Sequence, residues 1–148
     1  GVKAIVVHGA DGLDEISASA VTHAWDVTGA GIREVVIDPR ELGIAFVDAE
    51  LITGGDRIRN AQLLRKTLSG VSAADADAQR ISAIRDAVAL NAAAALVTYD
   101  AATGVGDTGL ELLDRMRAGL PRARAVLESG SGAVLLDRWI KETASLKK

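Results

Sequence analysis

The sequence predicts an α/β fold in which a mostly parallel sheet carries a β-hairpin and is surrounded by helices. An apolar, β-branched run over residues 3–8 ends at Gly9 and indicates a buried strand. Apolar and polar residues alternate over 21–27, and the glycine-containing turn 28–31 leads into a second apolar run at 32–38. These features together indicate a hairpin. Apolar residues at helical spacing fill most of the remaining chain.

The helices are predicted from their caps and from the spacing of their apolar side chains. Asp38 before Pro39 predicts a short helix through Leu42, because proline suits the first helical turn. Further helices are expected at about 57–69, around the apolar stripe 81–95, at about 108–118 with an end at the "GLP" of 119–121, and on both sides of 129–132. So few strands cannot cover so many helices evenly, which indicates the tail of a larger α/β domain.

Composition and charge exclude several classes of function. The 148-residue chain has a net charge of −3 and only 3% aromatic residues, so binding to nucleic acid is not expected. It contains no cysteine, which excludes disulfides and thiolate sites. The longest apolar stretch, 87–99, contains Asn91 and is shorter than the about 20 residues of a membrane span. With no leader-like segment and no expected contact with a membrane, a cytoplasmic location is predicted.

Candidate site residues lie in the stretch "VVHGADGLDEIS", residues 6–17, which ends the first predicted strand. In open α/β sheets, ligands bind beyond the carboxyl ends of the strands, and Gly9 would let the backbone turn sharply there. Asp14 and Glu15 are adjacent carboxylates, a donor type that suits Mg²⁺. The residues alone leave two interpretations open, a magnesium site or an acidic surface loop that is only solvated.

The same stretch resembles the late motif V-H-G-x-x-G-L-D-E of the anthranilate phosphoribosyltransferases. The segments "IDPRELGI", "GGDRIRNAQLLRKTLSG" and "RDAVALNAAAAL" continue the resemblance in register, so that it covers most of the chain. Pyrimidine nucleoside phosphorylase is the alternative within the same fold family, but "HGADGLDE" and "LNAAAAL" favour the transferases. The resemblance implies the C-terminal α/β domain that these phosphoribosyltransferases share with nucleoside phosphorylases.

The resemblance also implies a reaction, in which a phosphoribosyl group passes from phosphoribosyl pyrophosphate (PRPP) to anthranilate in tryptophan biosynthesis. The aromatic amine displaces pyrophosphate at the ribose anomeric carbon, and Mg²⁺ stabilises the charged leaving group. In the family, the Asp-Glu pair of this motif holds the magnesium ions, which carries over to Asp14 and Glu15. His8 and Gly9 match the motif and are expected to border the substrate pocket. The full-length family is homodimeric.

The resemblance covers somewhat less than the last half of a family member. Residues 1–148 are therefore expected to be the C-terminal part of the α/β glycosyltransferase domain. By the same resemblance, the N-terminal helical domain and the half that carries the phosphate loop are expected to lie outside these residues. The isolated chain is expected to be inactive, and a non-catalytic module that kept the fold is the alternative.

Several other residues are interpreted structurally. The "TGGD" of residues 53–56 resembles a phosphate-binding loop, but Asp56 is expected to cap the helix that follows. His23 and Trp25 are expected to be packing residues, and Asn91 is expected to satisfy a backbone group. A solvated face is expected for four arginines, Arg115, Arg117, Arg122 and Arg124.

Overall fold

The computed structural model describes residues 1–71 and 76–146, and in them a small sheet packs one face against helices. The strands are β1 Ile5–Gly9, β2 Thr22–Asp26 and β3 Arg33–Ile37. A 3₁₀-helix spans Pro39–Leu42, and the α-helices are α1 Ala49–Ile52, α2 Arg57–Leu68, α3 Ala78–Thr103, α4 Leu112–Ser129 and α5 Ser131–Ser145. The structure is mixed α/β, which confirms the predicted class.

The sheet is antiparallel throughout the described residues, so the predicted mostly parallel arrangement is wrong. The central strand is β2, and its Ala24 lies beside Val7 of β1 and Val35 of β3. The connection from β1 to β2, residues 10–21, contains no helix. Parallel neighbours need a long crossover, usually a helix, whereas strands joined by a simple returning loop pair antiparallel.

The sheet buries one face only, and β2 turns its polar residues inward. Thr22, Ala24 and Asp26 are buried, whereas His23 and Trp25 lie on the exposed face. The prediction that His23 and Trp25 are packing residues is therefore wrong. Alternation identifies the two faces of a strand but does not say which one is buried. In β2 the face of Asp26 is buried, because Asp26 forms an ion pair there with a buried cation.

A buried polar cluster connects the sheet to α4. The Asp26 side chain is fully buried, and its Oδ2 accepts hydrogen bonds from Arg115 Nη2 at 2.5 Å and Arg33 Nη2 at 2.9 Å. Its Oδ1 accepts from the Thr28 hydroxyl and N–H at 2.5 and 2.9 Å. Burial raises the pKa of Asp26, but the Thr28 hydrogen bonds and the arginines lower it by more, so the net pKa lies below its ordinary value of 3.8.

Arg115 is thus an internal cation, and the expectation that it lies on a solvated face is wrong. Its side chain is 8% exposed, because Asp26 and Thr28 provide charged and polar acceptors inside the molecule. The other arginines of that expectation, Arg117, Arg122 and Arg124, do have substantially exposed side chains in surface ion pairs.

Helices α3 and α4 form the core against which the sheet packs. Leu90 and Ala93 of α3 are buried together with Leu112 and Met116 of α4. Gly119 allows the two helices to approach closely, since a Cβ there would lie 3.3 Å from the carbonyl oxygen of Ala93. A larger residue at Gly119 would therefore push the helices apart.

Helix α4 continues through Pro121 to Ser129, so the predicted helix end at residues 119–121 is wrong. An internal proline costs about 3 kcal/mol through its missing N–H and its clash with the preceding turn. Buried residues lie on α4 both before and after the proline, among them Leu120 and Leu127. Each buried leucine contributes about 1.5–3 kcal/mol, so burial of this face outweighs the cost of the proline.

Helix α3 is long and apolar enough to cross a membrane by length and composition alone, with a mean hydropathy of 1.4 over its most apolar part. In the structure, 39% of that part is buried inside the molecule, and α3 packs against α4, α1 and α2. We interpret α3 as the core helix, because its buried residues belong to the same hydrophobic core as those of α4 and the sheet.

Two helix caps confirm the predictions made for them. Asp38 Oδ1 accepts a hydrogen bond from the N–H of Arg40 at 2.9 Å at the start of the 3₁₀-helix. Asp56 Oδ1 accepts from the N–H groups of Ile58 and Arg59 at 2.9 and 2.8 Å. Asp56 therefore satisfies two N–H groups that the first turn of α2 would otherwise leave without a partner.

Candidate functional site

The candidate site residues lie in the loop 10–21, which follows the carboxyl end of β1. The loop turns back at once, because Gly9 N–H donates to Leu13 O at 2.8 Å and Gly12 N–H donates to Gly9 O at 2.9 Å. A Cβ on Gly9 would lie 2.5 Å from Asp11 Oδ1, and Gly12 has a φ of +90°. Gly12 therefore suits the left-handed backbone of this turn, and a side chain at position 9 would displace the Asp11 carboxylate.

Asp11 holds the two halves of the loop together. Its Oδ2 accepts hydrogen bonds from Ser17 Oγ at 2.5 Å and Ser19 Oγ at 2.8 Å, and its Oδ1 accepts from Leu13 N–H at 3.3 Å. Burial raises the pKa of Asp11, but the two serine hydrogen bonds lower it by more, so the net pKa is below its ordinary value. Sequence reasoning missed this role, since no local pattern pairs Asp11 with those serines.

Asp14 and Glu15 lie in the middle of the loop, and both are exposed. Within the described part of the chain, neither carboxylate has a hydrogen bond or an ion pair with another residue. The two negative charges are therefore adjacent and not neutralised by an arginine or lysine. Such oxygen donors are the ligands that hard divalent cations take.

Asn91 of α3 attaches the second half of the loop to the core. Its Oδ1 accepts a hydrogen bond from Ile16 N–H at 2.9 Å, and its Nδ2 donates to Ile16 O at 2.9 Å and to Ala87 O at 3.0 Å. The prediction that Asn91 satisfies a backbone group is thus confirmed. Ile16 is itself 2% exposed, so the chain directly after Glu15 is held by both its side chain and its backbone.

A cavity of about 740 Å³ lies between the loop, α1 and α3. Its walls include apolar side chains of α3 such as Ile84 and Val88, and Asp11 and Glu15 are the carboxylates in its lining. The volume is in the range of small-molecule sites. The structure thus brings Glu15 to the cavity, whereas Asp14 belongs to the same loop but does not line it.

His8 and Gly9 have different positions relative to this cavity. His8 is exposed on the open face of the sheet, opposite His23 of β2, and it is not a lining residue of the cavity. Gly9 is the buried residue over which the loop turns back. That His8 and Gly9 border the substrate pocket stays a prediction.

The donor set fits one mode of magnesium binding better than another. In residues 1–71 and 76–146, no group of three or more His, Asp or Glu side chains is placed to hold a metal ion. Mg²⁺ usually keeps several waters and is held by one or two carboxylates together with substrate phosphates. Asp14 and Glu15 as free carboxylates are compatible with that open arrangement rather than with a closed protein cage.

Comparison with known proteins supplies relatives of known name. The anthranilate phosphoribosyltransferase of Nocardia farcinica is 44% identical over 146 residues, which are 99% of this chain and 40% of that relative. The chain therefore spans well under half the length of this curated relative. The resemblance inferred from the sequence is confirmed, and the relative carries the name of the transferase rather than that of a phosphorylase.

Two solved structures share the fold. Anthranilate phosphoribosyltransferase from Thermus thermophilus aligns with a TM-score of 0.69 and 30% identity over 94% of this chain and 35% of that one. The enzyme from Saccharomyces cerevisiae in complex with PRPP and Mg aligns with a TM-score of 0.71 and 23% identity over 97% of this chain and 36% of that one. The model of the glycosyl transferase family, a/b domain, matches residues 1–133. The chain therefore belongs to this glycosyl transferase family.

Proposed function

We propose that this chain is the C-terminal part of the α/β domain of an anthranilate phosphoribosyltransferase, in which Asp14 and Glu15 hold Mg²⁺. The observation that carries the proposal is this exposed carboxylate pair without a cation partner, in a loop that is fastened by Asp11 and Asn91. The 44% identity to the Nocardia farcinica enzyme supports it. The remaining length of that relative would supply the rest of the active site, so this chain alone is expected to be inactive.

In the proposed reaction, the amino nitrogen of anthranilate bonds to the anomeric carbon of PRPP while the bond from that carbon to pyrophosphate breaks, and the nitrogen releases one of its two protons to water. Pyrophosphate leaves with the electron pair of the broken bond, and bound Mg²⁺ would offset the charge that it gains. The contribution of Asp14 and Glu15 would be to hold the cation at the carboxyl end of β1. Because the loop backbone is attached at both sides, the residues that carry the two carboxylates are in place before substrate binds, which favours electrostatic stabilisation.

The variants Asp14→Asn and Glu15→Gln, made in the complete enzyme, test this proposal. Each is expected to lower kcat/KM at limiting Mg²⁺ by about 100-fold or more, which corresponds to about 2.7 kcal/mol. Because both side chains are exposed, the free energy of unfolding should change by less than about 0.5 kcal/mol. Glu142→Gln, at another exposed carboxylate, is the matched control. Wild-type Mg²⁺ dependence in both loop variants would contradict the proposal.

A mixing experiment distinguishes a working part of an enzyme from a non-catalytic module. This chain is combined with the remaining portion of the longer relative, and phosphoribosyl transfer is assayed. Activity that needs both parts supports the proposal, whereas a folded complex without activity favours the non-catalytic module. A cytoplasmic location and a homodimeric complete enzyme belong to the same proposal, and cell fractionation and sedimentation analysis test them.

A further inference from the structure

We propose that Asn91 is a positioning residue that sets the direction of the Asp14–Glu15 carboxylates from its place on the core helix α3. The inference rests on the proposed function, because it assigns to Asn91 an effect on Mg²⁺ binding through those carboxylates. Asn91 is not itself a ligand, since its side-chain amide is engaged with backbone groups.

The side-chain amide of Asn91 forms hydrogen bonds with both polar backbone groups of Ile16. It accepts from the N–H and donates to the carbonyl oxygen, each at 2.9 Å, across a separation of 75 residues. Its second donor goes to Ala87 O at 3.0 Å, one turn earlier on α3. Both N–H donors of the amide are therefore used, and the amide orientation is specified because a flipped group would face donor with donor.

The position of these two hydrogen bonds links Asn91 to the Asp14 and Glu15 carboxylates. Ile16 directly follows Glu15. Before Asp14, Leu13 is attached by two hydrogen bonds, because its carbonyl oxygen accepts from Gly9 N–H and its N–H donates to Asp11 Oδ1. Asp14 and Glu15 have no hydrogen bond of their own within the described residues. The backbone between these two attachments therefore sets where both carboxylates start from. Without Asn91, the backbone of Ile16 loses both of its hydrogen bonds to α3 and only the buried Ile16 side chain still holds that residue.

A second asparagine, Asn60, makes the same pair of hydrogen bonds to the backbone of one residue and supplies a matched control. Asn60 Oδ1 accepts from Gly55 N–H at 2.7 Å, and Asn60 Nδ2 donates to Gly55 O at 3.0 Å. These two hydrogen bonds hold the turn before α2, which contains neither Asp14 nor Glu15. A general cost of removing such an amide should appear at both positions, whereas an effect on Mg²⁺ should appear only at Asn91.

The experiment makes two measurements on the complete enzyme: the half-saturating Mg²⁺ concentration for binding in the presence of PRPP, by calorimetry without anthranilate, and the Mg²⁺ concentration that gives half-maximal rate at saturating PRPP and anthranilate. Asn91→Ala is expected to raise both concentrations by about 10- to 100-fold, the usual effect of removing a group that orients a metal ligand. High Mg²⁺ should restore most of kcat, and Asn60→Ala should leave both concentrations unchanged. A purely structural role would lower the amount of active enzyme but leave both Mg²⁺ concentrations as in the wild type.

Asn91→Ser is the second variant, for the case that Asn91→Ala does not fold. It adds no charge to the cavity that Asn91 shares with Glu15, and its hydroxyl can donate to the carbonyl oxygen one turn earlier on the helix. It is too short to hold both backbone groups of Ile16, so the same increase in half-saturating Mg²⁺ is expected. The inference is overturned if the folded Asn91 variant titrates like the wild type while Asp14→Asn and Glu15→Gln do not. If Asp14→Asn and Glu15→Gln also titrate like the wild type, the proposed metal site itself has failed.

Discussion

Replacing Asp26 with asparagine removes one negative charge from the interior of the protein while keeping the size of the side chain. The Asp26 carboxylate is 0% exposed and the Arg115 side chain is 8% exposed. Asp26 Oδ2 accepts hydrogen bonds from both Arg115 and Arg33. After Asp26→Asn, these two guanidinium groups lose their charged acceptor, and Arg115 remains inside the molecule.

The expected loss follows from the burial of this pair. Removing one partner of a buried ion pair costs about 3–5 kcal/mol, because the other charge is left uncompensated. Such a loss is large against the about 5–15 kcal/mol by which a domain is stable. Asp114→Asn is the matched control, since Asp114 pairs with Arg117 on the surface of α4 with side chains 55% and 53% exposed. An exposed pair contributes about 1 kcal/mol or less, so this control should lie close to the wild type.

Urea unfolding of this chain, followed by circular dichroism, measures the difference. The midpoint should fall strongly for Asp26→Asn with little change in the dependence on urea. Adding Arg115→Met removes the uncompensated cation, so the double variant should lose less than the sum of the two single losses. Equal small losses for Asp26→Asn and Asp114→Asn, or additive losses in the double variant, would refute the reasoning.

Three further predictions concern pH, two glycines and a helix cap. Burial raises the pKa of Asp26, but its hydrogen bonds and ion pairs hold the pKa of the folded protein below 3.8. The ionised Asp26 therefore contributes its full stability at a pH above the pKa of the unfolded chain, and this stability is lost as pH falls through the lower pKa of the folded protein. The urea midpoint of the wild type should therefore drop below about pH 4, and Asp26→Asn should lack this component. Alanine at Gly70 or Gly104, with φ of +75° and +73°, should cost about 1–2 kcal/mol for the left-handed backbone. At Gly70 a Cβ would also lie 2.5 Å from the carbonyl oxygen of Glu128, whereas nothing lies within 4 Å of a Cβ at Gly104. Thermal unfolding should therefore show a lower Tm for Gly70→Ala than for Gly104→Ala. Equal Tm values would show that the contact with Glu128 has no cost. Asp56→Ala should cost about 1 kcal/mol in urea unfolding through the lost cap, and Asp56→Ser should recover most of it; no recovery would mean that the hydrogen bonds are not the cause.

Part of the candidate site was predictable because its signals are local. Two glycines and two carboxylates within one short stretch indicated a sharp turn with exposed acidic side chains, and the structure places Asp14 and Glu15 in such a loop. The role of Asp11 was not predictable, since its partners Ser17 and Ser19 come into reach only when the loop has closed. The cavity was also not predictable, because its walls come from three separate parts of the chain.

The sequence by itself determined the α/β class, the helix caps at Asp38 and Asp56, and the family to which the chain belongs. These depend on neighbouring residues, on the periodicity of apolar side chains and on motifs that can be read along the chain. Only the tertiary structure decided the antiparallel pairing of the strands, the inward face of β2 and the continuation of α4 through Pro121. It also decided the burial of Arg115, whose partner Asp26 is 89 residues away. Spacing along the chain describes what a residue needs, such as a buried face or a counter-charge, whereas packing determines which distant residue provides it.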